Sequence, residues 1–348
     1  MTEWSDRLAR WNPPEEWRRV LTVDAHTEGE PLRVILEGFP ELEGETILQR
    51  RRSARELHDE LRRALMWEPR GHADMYGCVV GPPVTEEADL GVLFMHNEGF
   101  STMCGHGIIG VTTVLLECGL VEMSGPETPL VLDTPAGLVR AVAHTDGRRV
   151  ERVSFTNVPS FAAGLDLEVE VSDLGPVRYD LAYGGAFYAY VRAEDFGLAL
   201  VEDEYGRIID LGRRIKRAVQ DSAHPIHPED EDLSFLYGTI FVGPARDPGA
   251  HSRNVCVFAD GEVDRSPTGT GVSGRLAIHH ARAELEEGEE IVAESILGTR
   301  FTGRVTGTTR VGEYAAVIPR VSGRAFITGR NEILIDPWDP LAGGFLLR

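Results

Sequence analysis

The chain has 348 residues, 42% of them hydrophobic and 26% charged, with a formal net charge of −21 at pH 7. That length exceeds what one core usually supports, so two domains are expected, in a composition ordinary for a soluble globular protein. The acid excess excludes nucleic acid and anionic membranes as partners, since both reward Lys/Arg patches, and a single lysine, Lys216, excludes Schiff-base and pyridoxal phosphate chemistry almost everywhere.

Along the chain, Met1 to Val20 is rich in Trp, Arg and Glu and carries no apolar leader core. No run of ~18 apolar residues occurs, so no membrane span is expected and the protein reads as cytoplasmic. Short apolar or alternating stretches predict strands over Leu32–Leu36, Met75–Val80, Val92–His96, Leu130–Leu132 and Val150–Phe155. In the second half they recur over Phe187–Val191, Leu236–Val242, Val255–Phe258, Tyr314–Ile318 and Arg324–Ile327. Four helices are predicted. Ser53–Met66 opens on a Ser N-cap and places Leu57, Leu61 and Leu65 on one face, and Arg207–Asp221 is similar. Gly105–Cys118, closed by Gly119, and Gly269–Leu285 both begin at Gly-rich motifs. Many strands with few helices point to an α+β or α/β arrangement in each half rather than a doubly wound parallel fold. Four cysteines (Cys78, Cys104, Cys118, Cys256) make no disulfide scaffold, and no CxxC pair points to a metal.

The two halves echo each other. Tyr76-Gly77-Cys78-Val79-Val80-Gly81-Pro82 is matched by Tyr237-Gly238-Thr239-Ile240-Phe241-Val242-Gly243-Pro244. Cys104-Gly105-His106-Gly107 is matched by Thr268-Gly269-Thr270-Gly271, and more faintly Gly29-Glu30-Pro31 by Gly185-Ala186-Phe187. In each half a reactive-type side chain stands immediately before a helix, with Gly at alternate positions. Glycine lets a ligand approach the backbone, and a helix's first turn offers unpartnered N–H groups at the positive end of its dipole. If the halves face each other, two helix starts hold one carboxylate from both sides. The same field is expected to lower the Cys104 pKa by about one to two units without any His partner. The Thr268 hydroxyl is too weak an acid to respond alike. The plainer alternative makes both motifs tight strand-to-helix turns, with Cys104 a buried filler.

These motifs resemble the proline racemase family, which also contains 4-hydroxyproline epimerases and trans-3-hydroxy-L-proline dehydratases. The matching stretches are Asp24-Ala25-His26-Thr27-Glu28-Gly29-Glu30-Pro31, Glu68-Pro69-Arg70-Gly71-His72-Ala73-Asp74-Met75-Tyr76-Gly77, Met103-Cys104-Gly105-His106-Gly107 and Asp264-Arg265-Ser266-Pro267-Thr268-Gly269-Thr270-Gly271. The resemblance spans about residues 22 to 340. It implies an α+β chain of two similar domains of diaminopimelate-epimerase-like fold, each a mainly antiparallel sheet wrapped around a central helix, with the active site between them. The expected boundaries are 20–175, completed by 330–348, and 176–330. It implies further that Gly105, His106, Gly269 and Thr270 bind the substrate carboxylate through backbone N–H groups. Asp264 pairs with the ring nitrogen, no cofactor or metal is used, and the enzyme is a homodimer acting on a small imino acid.

Thr268 departs from the racemase pattern, in which a second cysteine stands at this place. One thiol cannot run a two-base exchange, so the resemblance is to the dehydratases that carry a Cys/Thr pair. In trans-3-hydroxy-L-proline the hydroxyl shares a ring face with the α-hydrogen, so one base on that face, Cys104, suffices. The same thiol or His106 protonates the leaving hydroxyl, giving an enamine that tautomerises to Δ1-pyrroline-2-carboxylate. His106 alternatively offers only its backbone N–H, and Asp264 alternatively caps the Pro267–Thr270 turn. His26, His72 and His96 read as structural; Cys78, Cys118 and Cys256 read as core. The rival activities are a proline or 4-hydroxyproline epimerase using Thr268 through a water, a cysteine hydrolase, and a non-catalytic imino-acid-binding protein.

Overall fold

The computed structural model describes residues 3–222 and 224–347. Met1, where the segment read for a leader begins, and Arg348, the last residue of 330–348, lie outside the described residues. A short helix, α1 (Glu3–Arg10), precedes the first repeat. That repeat contains β1 (Arg18–Thr27), β2 (Glu30–Glu37), α2 (Ile47–Leu57), α3 (Asp59–Met66), β3 (Tyr76–Gly81), β4 (Leu90–His96) and β5 (Gly99–Phe100). It continues through α4 (Gly105–Glu117), β6 (Glu127–Thr134), β7 (Gly137–Thr145), β8 (Val150–Thr156) and β9 (Ser160–Val171). The second repeat runs β10 (Gly175–Tyr183), β11 (Phe187–Arg192), α5 (Tyr205–Ser222), β12 (Leu236–Gly243), β13 (Ser252–Phe258) and β14 (Glu262–Val263). It closes with α6 (Gly269–Ala281), β15 (Glu290–Glu294), β16 (Arg300–Val311), β17 (Tyr314–Gly323) and β18 (Ala325–Ile335).

Strand pairing repeats with the sequence. Hairpin β1–β2 corresponds to β10–β11, parallel β2–β3 to β11–β12, and parallel β4–β6 to β13–β15. The last strand of each repeat crosses over: β9 pairs with β10, and β18 returns to pair with β1. Accordingly α4 lies against β1, β2, β7, β8 and β18, while α6 lies against β9, β10, β16 and β17. Gly105–Leu116 of α4 are all buried, as expected for a helix that is apolar or small on every side and wrapped by sheet.

Most predicted elements stand, with longer strands than the apolar runs suggested. The helix expected from Ser53 starts earlier, at Ile47, because the Thr46 hydroxyl takes the Gln49 N–H at 3.1 Å. It then breaks at His58, which leaves Leu57 exposed while Leu61 and Leu65 are buried. Gly119 closes α4 with φ +68°, and Leu120 N–H returns to the Leu115 carbonyl at 2.9 Å. Cys118, expected in the core, is exposed at the end of α4, while Cys78 is buried as expected. Among the described residues no helix is long and apolar enough to cross a membrane.

Candidate active site

The two Gly-rich motifs meet end to end. A Cβ on Gly105 would lie 2.6 Å from Gly269 Cα, and one on Gly269 would lie 2.8 Å from Gly105 Cα. No side chain fits there, so the starts of α4 and α6 approach as closely as backbones allow. Their first-turn N–H groups, from Gly105, His106, Gly269 and Thr270, have no acceptor within their own helices. Two positive helix ends thus share one small space.

That space is a cavity lined by Cys104, Gly105, His106, Asp264, Thr268, Gly269 and Thr270, the seven residues picked out from the sequence. Its remaining wall is Tyr76, Met103, Tyr188, Tyr237, Cys256 and Phe258. About 20 Å³ is open to the centre of a water molecule, room for roughly one water. A larger groove of about 280 Å³, along Phe39, Leu42, Ile47 and Arg50, gathers no thiol or histidine.

Cys104 is the N-cap of α4, and its sulfur accepts the Gly107 N–H at 3.2 Å. His106 Nδ1 lies 3.1 Å from the same sulfur, so the imidazole is a contact of the thiol. The expected lowering of the thiol pKa is not what the site gives. Burial pushes Cys104 well above the usual thiol range; the Gly107 N–H and the Tyr76 hydroxyl pull it back only in part, while Asp264 and Glu30 push it further up. The resting thiol is neutral because desolvating a thiolate outweighs the helix-start donors. Burial also holds His106 down to about 3, so its imidazole is neutral, with a hydrogen bond to the Pro31 carbonyl. A neutral imidazole with one nitrogen so engaged keeps the other free as a thiol partner.

Thr268 caps α6 at φ +65°, a left-handed conformation strained for a β-branched residue. Its Oγ1 is buried and makes no hydrogen bond of sound geometry. It nevertheless lies close enough to Asp264 and Cys256 to draw both pKa values down. Asp264 Oδ1 accepts the Ser266 N–H at 2.7 Å, which shapes the loop leading into Thr268, and the residue also lines the cavity. Burial raises Asp264 to about 6, against the opposing pull of Ser266 and Thr268.

Four residues of this wall carried signals that sequence reasoning passed over or misread. Tyr76 and Tyr237 head the matched Tyr-Gly motifs, and their hydroxyls lie 3.3 Å apart across the repeat interface. Tyr188, beside the faint Gly185 match, meets Thr270 Oγ1 at 2.7 Å. Cys256, expected in the core, does lie buried but forms part of the cavity wall, because alternate residues of β13 face α6. His26, His72 and His96 lie outside that wall; His26 Nδ1 accepts the Gly29 N–H, and His96 faces Glu262 at 3.4 Å.

The family model described as proline racemase matches residues 22–346. The chain belongs to the proline racemase family. Relatives named trans-3-hydroxy-L-proline dehydratase occur in Colwellia psychrerythraea, 46% identical over 98% of this chain and 97% of that one, and in Bacillus cereus, 48% identical over 94% and 97%. A relative from Burkholderia multivorans, 47% identical over 95% and 99%, is named 3-hydroxyproline 2-epimerase. Among solved structures, a hydroxyproline epimerase from Agrobacterium vitis with bound trans-4-hydroxy-L-proline superposes with TM-score 0.90 at 35% identity, covering 95% of this chain and 96% of that one. The fold is the two-repeat α+β arrangement of the diaminopimelate-epimerase type that the motifs implied.

Proposed function

We propose that this racemase-family enzyme dehydrates trans-3-hydroxy-L-proline to Δ1-pyrroline-2-carboxylate without a cofactor. The observation that carries this reading is the asymmetry of the cavity's two helix caps, a thiol at Cys104 and a hydroxyl at Thr268. The dehydratase names of the Colwellia and Bacillus relatives support it.

The substrate carboxylate sits between the helix starts on the N–H groups of Gly105, His106, Gly269 and Thr270. There it increases the acidity of the neighbouring α-carbon by accepting charge as the proton leaves. Asp264, buried and facing the cavity, holds the protonated ring nitrogen. Cys104, as the thiolate, removes the α-proton, and in the resting site the neutral His106 ring beside its sulfur accepts a hydrogen bond from the thiol. The C3–O bond breaks as the C2–C3 double bond forms, and the hydroxyl leaves as water with a proton from Cys104 or His106. The enamine then moves a proton from nitrogen to C3. Thr268 touches the opposite face, where its un-ionised hydroxyl neither takes nor replaces the α-proton.

The same reading has a homodimer in the cytoplasm, with 20–175 and 176–330 as the two repeats. Supporting the completion of the first by 330–348, β18 lies on β1. The epimerase name of the Burkholderia relative makes C2 inversion the rival. Partial turnover of trans-3-hydroxy-L-proline, followed by chiral analysis of what remains, separates them. Recovered substrate of unchanged C2 configuration supports dehydration; accumulation of the C2 epimer without loss of water supports the rival.

A further inference from the structure

The two helix caps of the cavity are held by different means. Cys104 fixes the start of α4 itself, by accepting the Gly107 N–H. The Thr268 side chain makes no cap bond to α6, and its backbone keeps the left-handed φ of +65°. Strain of that kind persists only where the surroundings hold it. Two side chains behind the cavity wall do so. Asn254, fully buried on β13, donates from Nδ2 to the carbonyl of Pro267, the residue before Thr268, at 3.4 Å. Arg275, buried on α6, donates from Nη1 to Asn254 Oδ1 at 2.9 Å and to Ser252 Oγ, while its Nη2 meets His279 Nε2 at 2.9 Å. Burial lowers Arg275 to about 10, so the guanidinium is charged at neutral pH. In α4 the same place relative to the cap is taken by Val111, a buried apolar residue, so the arrangement belongs to the Thr268 side.

We propose that Asn254 and Arg275 form a positioning pair for the reaction: the guanidinium orients the Asn254 amide, and the amide anchors the Pro267 carbonyl, which sets where Thr268 and the start of α6 stand against Cys104. This rests on the dehydratase reading. A side-chain amide has two nearly equivalent orientations, but a guanidinium has donors only and can accept no N–H. Arg275 therefore selects the orientation with Oδ1 towards itself and leaves Nδ2 to the Pro267 carbonyl. Its charge polarises the amide and strengthens that donor. In the proposed mechanism Thr268 covers the face of the α-carbon opposite Cys104, and the next two N–H groups, of Gly269 and Thr270, take the carboxylate. A shift of the Pro267 carbonyl moves all three.

The alternative is a pair that only ties β13 to α6 for stability. Asn254→Asp separates the two roles, because aspartate keeps and charges the bond to Arg275 but has no hydrogen to give Pro267. Full-length Asn254→Asp, Arg275→Met and Arg275→Lys variants are assayed on trans-3-hydroxy-L-proline, with a melting temperature recorded for each. Asn254→Asp should melt close to the wild type yet show a kcat/KM about three- to tenfold lower, the effect of one hydrogen bond. Arg275→Met should show a similar loss, and Arg275→Lys, which keeps a charged donor for Oδ1, should recover most of it. Wild-type kcat/KM in Asn254→Asp overturns the proposal. So does Arg275→Met equal to or better than Arg275→Lys, or a loss that follows melting temperature across the three variants. A wild-type enzyme that forms no cyclic imine defeats the dehydratase reading itself; wild-type turnover that the variants leave unchanged defeats this inference alone.

Discussion

Gly105 and Gly269 lie back to back at the starts of α4 and α6, so close that a methyl group on either would stand within 2.8 Å of the other's Cα. This contact brings two separate helix starts onto one cavity, where the proposed mechanism seats the substrate carboxylate. Gly105→Ala or Gly269→Ala forces the helices apart, at a stability cost of about 1–3 kcal/mol for overpacking. Loss of activity should be larger than that cost implies, about a hundredfold in kcat/KM, because misplacement of about 1 Å at a reacting centre has that effect. Kinetics on trans-3-hydroxy-L-proline beside thermal melts separates the two.

Cys104→Ser retains shape and removes the usable base. The expected fall in kcat/KM is about a thousandfold or more, in the range that general-base catalysis contributes. His106→Gln keeps the backbone N–H and should cost far less, because the imidazole only shares the thiol proton. Steady-state assays of both variants check this order, and an unimpaired Cys104→Ser variant removes Cys104 from the mechanism.

The pH dependence follows from two buried groups. Asp264 must be ionised to hold a protonated ring nitrogen, and its pKa is raised to about 6. Below that, kcat/KM should fall as the carboxyl takes up a proton; above it this limb is flat. In the proposed mechanism Cys104 acts as the thiolate, and burial pushes its pKa above the ordinary thiol range. A second rise is therefore expected on the alkaline side, continuing past pH ~8.5, where a free thiol would level off. A log kcat/KM profile against pH shows both limbs, and Asp264→Asn should abolish the acidic one while raising KM.

Thr268→Cys supplies a thiol on the second face. The variant should gain α-proton exchange with inversion on proline or 4-hydroxyproline and lose commitment to dehydration. NMR in deuterated solvent measures this as deuterium at C2 of the inverted product, which the wild type should not form.

The repeat was legible in the sequence because glycine at a close approach cannot be replaced, so Cys104-Gly105-His106-Gly107 and Thr268-Gly269-Thr270-Gly271 kept their likeness. All seven residues picked out around them line one cavity. What escaped is what depends on burial. A partly exposed Cys104 at a helix start would have its pKa lowered by the dipole, whereas the sheet around α4 leaves it 5% exposed, and desolvation reverses the sign of the shift. Cys256 was read as core because an apolar strand shows which residues are buried but not which of its faces meets a cavity. The pairing of β9 with the second repeat is equally illegible in the residue pattern, and the return of the C-terminal strand to the first came only from the family resemblance, since pairing partners lie up to 317 positions apart, as Arg18 and Ile335 do.

The most direct test is incubation of the protein with trans-3-hydroxy-L-proline and, separately, trans-4-hydroxy-L-proline, followed by NMR and by o-aminobenzaldehyde detection of a cyclic imine. The expected result is Δ1-pyrroline-2-carboxylate from the 3-hydroxy isomer alone, with the 4-hydroxy isomer unchanged. Inversion of either isomer at C2 with no imine formed would contradict the division of roles between the Cys104 thiol and the Thr268 hydroxyl.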